Sequence, residues 1–405
     1  MNVRITIKGF ILNKLYRPLQ KACFVLPNLL CAILPMKKMI VLESNPDFAD
    51  NTFAIYSYIL NNNVFPDYEF VWLVSKPLND IILPEKVSLY PMHPAKLLDR
   101  IKKYIMCNRA KIIIDCNRHY PKYKTSHKQL NIYLDHGMPL KNITKYGYPN
   151  KLSCQYLICQ SPFFVPYLIK QYGLKESQIV VAGVPRDDQL FTKSDSISRL
   201  FPESSMLKRI IIWVPTFRRM SSGGRIDCTA EQPFGMPILQ SNQDILDINT
   251  KLVEAETLLI IKPHPAQDLS FIGNISGSNI RVLYNDKMLE YGIQINELLS
   301  QSDAMITDYS GIYYDYLLLD KPVGITLDDF DEYRTQKGFV FDDPLEILKG
   351  RAILSVNDFI QFIDEVTKGI DNNRKEREDI NKRVNEGMNA SSSKRTIDFI
   401  LSVLK

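Results

Sequence analysis

Five histidines occur among the 405 residues, and two of them stand at matching places. His136 follows the apolar run Leu130, Ile132, Tyr133, Leu134 in NIYLDHGMPLK, and His264 follows the run LLII in TLLIIKPHP. A buried strand needs no imidazole at its tip, and a capping or core histidine is the plain explanation for either one alone. Two at equivalent strand ends, one in each half of the chain, favour chemistry. An imidazole titrates near neutral pH and is the usual general base or acid. Metal ligation fits less well, because only Asp268 lies close to His264 and no further histidine or cysteine completes a ligand set.

A second group surrounds AMITDYSGIYYDYLLLDKPV, residues 304–323. A strand ends at Thr307-Asp308, Ser310 is an apt N-cap, and Gly311 opens a helix whose free N–H groups suit a phosphate. Asp308 would orient a neighbouring donor or hydroxyl rather than touch the anion. Arg186 in GVPRDD, and Thr216, Arg218 and Arg219 in WVPTFRR, follow two more strand tips. Guanidinium groups there could neutralise a diphosphate through paired hydrogen bonds, surface arginine being the plain alternative. Neither a Walker loop nor G-x-G-x-x-G occurs, which argues against nucleotide hydrolysis and dinucleotide redox chemistry. The triplet Asp329-Phe330-Asp331 has the form of a metal-holding Asp-x-Asp but reads as a solvated turn in an acidic loop. No metal and no organic cofactor is called for.

These residues need a frame. MIVLES (39–44), YEFVWLVS (68–75), VSLYP (87–91), KIIIDC (111–116), NIYLDH (131–136), YLICQS (156–161) and QIVVAG (178–183) read as strands. Helices are expected at 49–62 and 94–109. Dense apolar runs, rather than strict alternation, predict parallel strands covered on both faces. A polar stretch, 187–206, is the expected linker. Strands resume at 209–216, 257–265, 280–284, 304–310 and 322–327, with helices at 243–255, 291–302, 311–319 and 355–368 and two more in 373–405. The fold class is α/β: two doubly wound Rossmann-like domains facing a cleft, 39–190 and 205–365, with C-terminal helices over 366–405. Ligands in such sheets gather beyond the carboxyl ends of strands, where both histidines fall.

At 45% hydrophobic and 23% charged, the composition is that of a soluble folded protein. Seven cysteines without a C-x-x-C pair predict reduced thiols in a cytoplasmic setting. Residues 1–40 carry seven Lys or Arg and no Asp or Glu, so against a total of +5 the rest of the chain is −2. Between the cations lies ACFVLPNLLCAILPM, too short for a spanning helix and broken by Pro27 and Pro35. A basic and apolar arm over 1–38 suits attachment to an anionic membrane surface, ahead of a solvated arm packed on the protein itself.

Taken in this order, the motifs resemble the CDP-glycerol glycerophosphotransferase family, the polymerases and primases of teichoic acids and related capsular polymers. DHGMPLK is similar to its W-H-G-T-P-L-K, GVPRDD to G-x-P-R-N-D, VPTFR to A-P-T-W-R, KPHP to its histidine-proline motif, and ITDYSG to I-T-D-Y-S-S. ESNPDFADN (43–51) and DEYRTQKGFVFD (331–342) resemble its early and late segments. The resemblance implies a GT-B-like fold, peripheral attachment at the cytoplasmic face of the membrane, and transfer of glycerol phosphate from CDP-glycerol to a hydroxyl with release of CMP. It would make His136 the base on the acceptor and His264 the group that stabilises the donor diphosphate or protonates leaving CMP. Arg186, Thr216, Arg218, Thr307, Asp308, Ser310 and Gly311 would hold the donor, with Glu43, Gly137 and Lys141 on the acceptor side. Asp135 stands for Trp, Met138 for Thr, and Gly311 for the second serine of the phosphate turn. The implied partners are CDP-glycerol or CDP-ribitol, a lipid-linked or polymeric hydroxyl acceptor and an anionic membrane, with no nucleic acid; a homo-oligomer stays open. A GT-B glycosyltransferase or sugar-nucleotide epimerase, and a non-catalytic membrane scaffold, are the rival readings.

Overall fold

The computed structural model describes residues 24–78, 83–117, 128–143, 152–218, 232–267, 269–270 and 272–404. The arm before Phe24, together with Arg219 and Asp268, lies outside them.

Seven strands form the first sheet: β1 Lys37–Glu43, β2 Glu69–Val74, β3 Val87–Pro91, β4 Ala110–Asp115, β5 Leu130–Tyr133, β6 Tyr156–Cys159 and β7 Ile179–Val181. Their order is β3-β2-β1-β4-β5-β6-β7, all parallel. The second sheet holds β8 Arg209–Val214, β9 Thr257–Ile261, β10 Ile280–Val282, β11 Ala304–Thr307, β12 Val323–Thr326 and β13 Arg351–Ile353. It runs β10-β9-β8-β11-β12-β13, again parallel. Every residue of β5, β9, β11 and β12 is buried, which explains why these strands read as continuous apolar runs: helices cover both faces.

Register sets the site. Glu43 pairs with Asp115 and Asp115 with Tyr133, so β1, β4 and β5 end together. Val214 pairs with Thr307 and Trp213 with Ile261, so β8, β9 and β11 also end together. The loops beyond these ends carry the residues singled out above.

The helices, in chain order, are α1 Val25–Ile33, α2 Asp50–Asn61, α3 Leu97–Arg109, α4 Val165–Tyr172, α5 Ser196–Leu200, α6 Asn242–Glu254, α7 Asn285–Tyr291, α8 Ile295–Gln301, α9 Ile312–Leu317, α10 Phe330–Gln336, α11 Val356–Lys368, α12 Arg374–Val384 and α13 Ser392–Val403. Several of these refine the expected pattern. The apolar run before β1 is the helix α1, and among the described residues no helix is long and apolar enough to cross a membrane. The helix expected over 291–302 starts later, as α8 at Ile295, because Gly292 takes a left-handed φ of 64° and ends the separate helix α7. The stretch 187–206, between β7 of the first sheet and β8 of the second, folds into short helical turns, including α5, and buries Leu190, Ile197, Leu200 and Phe201. Helix α10 occupies the loop that read as a solvated acidic turn.

One apolar cluster runs through both domains, joining Tyr133, Leu157 and Phe164 of the first to Leu298, Tyr309 and Tyr314 of the second. Helix α13 then returns to the first domain, where Ile397 and Ile400 enter the core beside Ile55 and Ile158. The carboxylate of Asp188 accepts the N–H groups of Ser392 and Ser393 at 2.8 Å each, filling donors that a helix start leaves free.

Candidate active site

The strand ends of the two sheets face each other across a cleft of about 500 Å³, lined by both His136 and His264. On the first-domain side, β5 ends at Tyr133 and the chain turns sharply. Asp135 adopts a φ of 55° and Gly137 one of 141°, a conformation open to glycine. A Cβ on Gly137 would also sit 3.2 Å from Nη2 of Arg186. The turn leaves the His136 side chain 61% exposed in the cleft while Asp135 is buried beneath it.

Asp135 Oδ1 lies 2.9 Å from Nδ1 of His136 and accepts the His136 backbone N–H at 2.8 Å. Its Oδ2 accepts the Tyr172 hydroxyl at 2.5 Å. Desolvation works against the imidazolium, but the hydrogen bond and charge of Asp135 outweigh it and hold the His136 pKa above its ordinary value. Burial likewise opposes the Asp135 carboxylate, and His136 and Tyr172 more than compensate, so its pKa lies below the usual range. Neutral His136 therefore carries its proton on Nδ1 and leaves Nε2 as an acceptor.

His264 has the opposite form. The N–H of Ala266 donates to its Nδ1 at 3.1 Å, so the neutral ring carries its proton on Nε2. The ring packs 5.0 Å from that of Phe217. One imidazole is thus set up to take a proton and the other to donate a hydrogen bond.

The arginines stand differently from expectation. Arg186 lines the cleft but is only 6% exposed. Its guanidinium holds Asp50 at 2.6 Å and Asp315 at 2.7 Å, and donates to the carbonyl of His136 at 2.8 Å. Burial disfavours its charge, but Asp315 and Asp50 keep it firmly protonated. Arg218 is 2% exposed and pairs with Asp308 at 2.7 Å and Asp329 at 2.5 Å. Asp308 also accepts the N–H of Thr216 at 3.0 Å and its hydroxyl at 2.9 Å. Thr216, Arg218, Thr307 and Asp308 all lie beneath the cleft rather than along it, and Asp329 is a buried partner of Arg218, not part of a solvated turn. A guanidinium already shared between two carboxylates has little charge left for a diphosphate.

Ser310 and Gly311 do line the cleft. Helix α9 starts at Ile312 with Gly311 in the N-cap place expected for Ser310, and no side chain caps it. Gly311 is pressed on the opposite domain, since a Cβ there would come 2.7 Å from the carbonyl of Met138. On the acceptor side Gly137 and Lys141 line the cleft, whereas Glu43 is buried below it and accepts the N–H of Asn117 at 3.1 Å. The 138–142 loop is tied across the domain boundary: Lys141 bridges Phe339, and Val340 donates to the carbonyl of Leu140 at 3.0 Å. Two cleft residues were passed over in the sequence. Asp135 showed only as a departure from a motif, and Lys262 lay unremarked inside KPHP.

Two all-parallel α/β domains meeting at a cleft, with the chain's last described helix returned to the first domain, define a GT-B-like protein. Residues 28–402 match the family described as CDP-Glycerol:Poly(glycerophosphate) glycerophosphotransferase, and the chain belongs to that family. It is 23% identical over 370 residues to the teichoic acid glycerol-phosphate transferase of Staphylococcus aureus (strain NCTC 8325 / PS 47), covering 85% of this chain and 86% of that one. With the teichoic acid poly(ribitol-phosphate) polymerase of Bacillus spizizenii it shares 29% identity over 203 residues, 48% of this chain and 29% of the relative. The chain spans less than two thirds of the length of the first curated relatives it matches. Its fold is that of the wall teichoic acid polymerase TagF, at a TM-score of 0.72 and 19% identity over 99% of this chain and 97% of that one. A putative UDP-N-acetylglucosamine 2-epimerase from Listeria monocytogenes shares the architecture more loosely, with a TM-score of 0.51 and 14% identity over 91% and 96% of the two chains.

Proposed function

We propose that the protein transfers glycerol phosphate from CDP-glycerol to a hydroxyl of a lipid-linked or polymeric acceptor, releasing CMP, in the synthesis of a teichoic-acid-like or capsular polymer. The observation that carries this reading is the complementary state of two histidines facing one cleft. An acceptor oxygen attacks the phosphorus that bears glycerol and gives its proton to Nε2 of His136. The new P–O bond forms as the bond to the bridging oxygen of CMP breaks, and Nε2–H of His264 hydrogen-bonds that departing oxygen. Phosphoryl transfer asks for positioning and charge stabilisation more than for covalent help, and the cleft supplies both. Ser310 and Gly311 serve the donor directly. Thr216, Arg218, Thr307 and Asp308 act one layer below by holding the β8 and β11 loops, and Arg186 and Glu43 hold loops of the first domain.

The test is a donor panel of CDP-glycerol, CDP-ribitol and UDP-sugars with CMP release as readout. Release from CDP-glycerol is expected, and His136→Ala abolishes it while leaving CDP-glycerol binding nearly intact. Equal loss of binding and rate would make His136 a ligand contact instead of a base. CDP-ribitol is the second reading, favoured by the 29% identity to a poly(ribitol-phosphate) polymerase. Inertness of a folded protein toward every donor would favour a scaffold.

Attachment at the cytoplasmic face of the membrane belongs to the same reading. Helix α1 docks on α3, with Tyr104 donating to Asn28 at 3.1 Å, and turns Val25, Leu26, Leu29 and Ile33 outward. Leu97 and Leu98 at the start of α3 are exposed too. Such a surface, which the basic arm precedes in sequence, suits the interface of an anionic leaflet.

A further inference from the structure

The cleft needs positive charge for a diphosphate, and Arg186 on its wall and Arg218 beneath it are spent on carboxylates. Lys262 is different. It follows β9 directly, two residues before His264, lines the cleft and is only 6% exposed. Its ammonium donates to the carbonyl of Pro263 at 2.9 Å, and among the described residues no carboxylate pairs with it. The cleft carboxylates are engaged elsewhere. Asp47 accepts the N–H and hydroxyl of Ser75 at 2.9 and 2.8 Å, Asp50 holds Arg186, and Asp135 holds His136 and Tyr172. A buried ammonium with no counter-ion is costly, and proteins keep such a group where a ligand completes it.

We propose that Lys262 is the anion anchor of the cleft, its ammonium taking a non-bridging oxygen of the donor diphosphate beside His264. The proposal rests on the diphosphate-donor reading above and adds the residue that supplies the charge. Lysine serves phosphate as a point charge, without the fixed fork of arginine. Burial alone pulls its pKa down to about 8, and a bound diphosphate oxygen would push it back up. Binding near pH 8 is therefore accompanied by proton uptake.

Calorimetric titration of the whole chain with inorganic pyrophosphate and, separately, CDP-glycerol tests this. Lys262→Met, which removes an unpaired buried charge, is expected to fold with an undiminished melting temperature and to bind both probes roughly ten- to a hundredfold more weakly. Titrating wild type with CDP-glycerol at pH 8 in two buffers of different ionisation heat should show net proton uptake. This readout holds even if the variant fails to fold. Unchanged pyrophosphate affinity in Lys262→Met, no pyrophosphate binding by wild type, or CDP-glycerol binding without proton uptake would each overturn the anchor. Pyrophosphate affinity lost in the variant, with CDP-glycerol neither bound nor turned over by wild type, would keep the anchor and remove the donor reading.

Discussion

With Asp135 holding Nδ1 of His136 at 2.9 Å, the ring's other nitrogen is the one left for an acceptor. A general base works only when deprotonated, so the rate should rise with pH through the His136 pKa, which Asp135 holds above the ordinary value. Asp135→Asn removes that charge. The acid limb of the pH–rate profile is then expected to move to lower pH, while the plateau kcat falls about 10- to 100-fold because the tautomer is no longer fixed. An unmoved acid limb would show that Asp135 only shapes the turn. Both histidines were legible in the sequence because strand tips are easy to locate and histidine is scarce here. The carboxylate partners of the arginines were not legible, for a physical reason. A guanidinium facing a cleft and one facing a carboxylate 129 positions away look alike in sequence, and only the fold brought Asp315 to Arg186.

Among the elements, α9 and the turn before it are the joint between the domains. A side chain at Gly311 would meet the backbone carbonyl of Met138, which cannot rotate aside. Gly311→Ser, which restores the residue of the family pattern, should therefore lower stability by about 1–3 kcal/mol. Chemical denaturation would measure it, and a wild-type midpoint would mean the loops part without strain. The buried strands were readable because parallel strands covered on both faces advertise themselves as apolar runs. Strand β13 was not, being three residues long beside Gly350, where a Cβ would come 2.5 Å from the carbonyl of Val323. Helix α10 was hidden by its acidic start, Asp329 at its N-cap and Asp331 and Glu332 in its first turn, which resembles a solvated loop until Asp329 finds Arg218.

At the scale of the molecule, Arg186 pins the domains together by joining Asp50 of the first to Asp315 of the second. Arg186→Met leaves both acids without their cation, and removing one partner from such a buried group typically costs about 3–5 kcal/mol. The expected result is an earlier urea midpoint together with lost turnover, because the His136 carbonyl loses its donor as well. Equal stability would assign the interdomain strength to the shared apolar cluster alone. On the outer surface, the paired change Leu26→Asp and Ile33→Asp should reduce sedimentation with phosphatidylglycerol vesicles and leave CDP-glycerol affinity unchanged. Unaltered sedimentation would locate attachment outside α1.

The polypeptide passes between the lobes twice, once through residues 182–208 and once on its way to α13, which Asp188 clasps. Two tethers on a shared flank forbid the lobes from drifting apart as free bodies. Arg186 of the first tether lies beside Gly137, and Gly311 beside the same residue, so the domain contact sits on that flank and any opening is a swing about it, like a book about its spine.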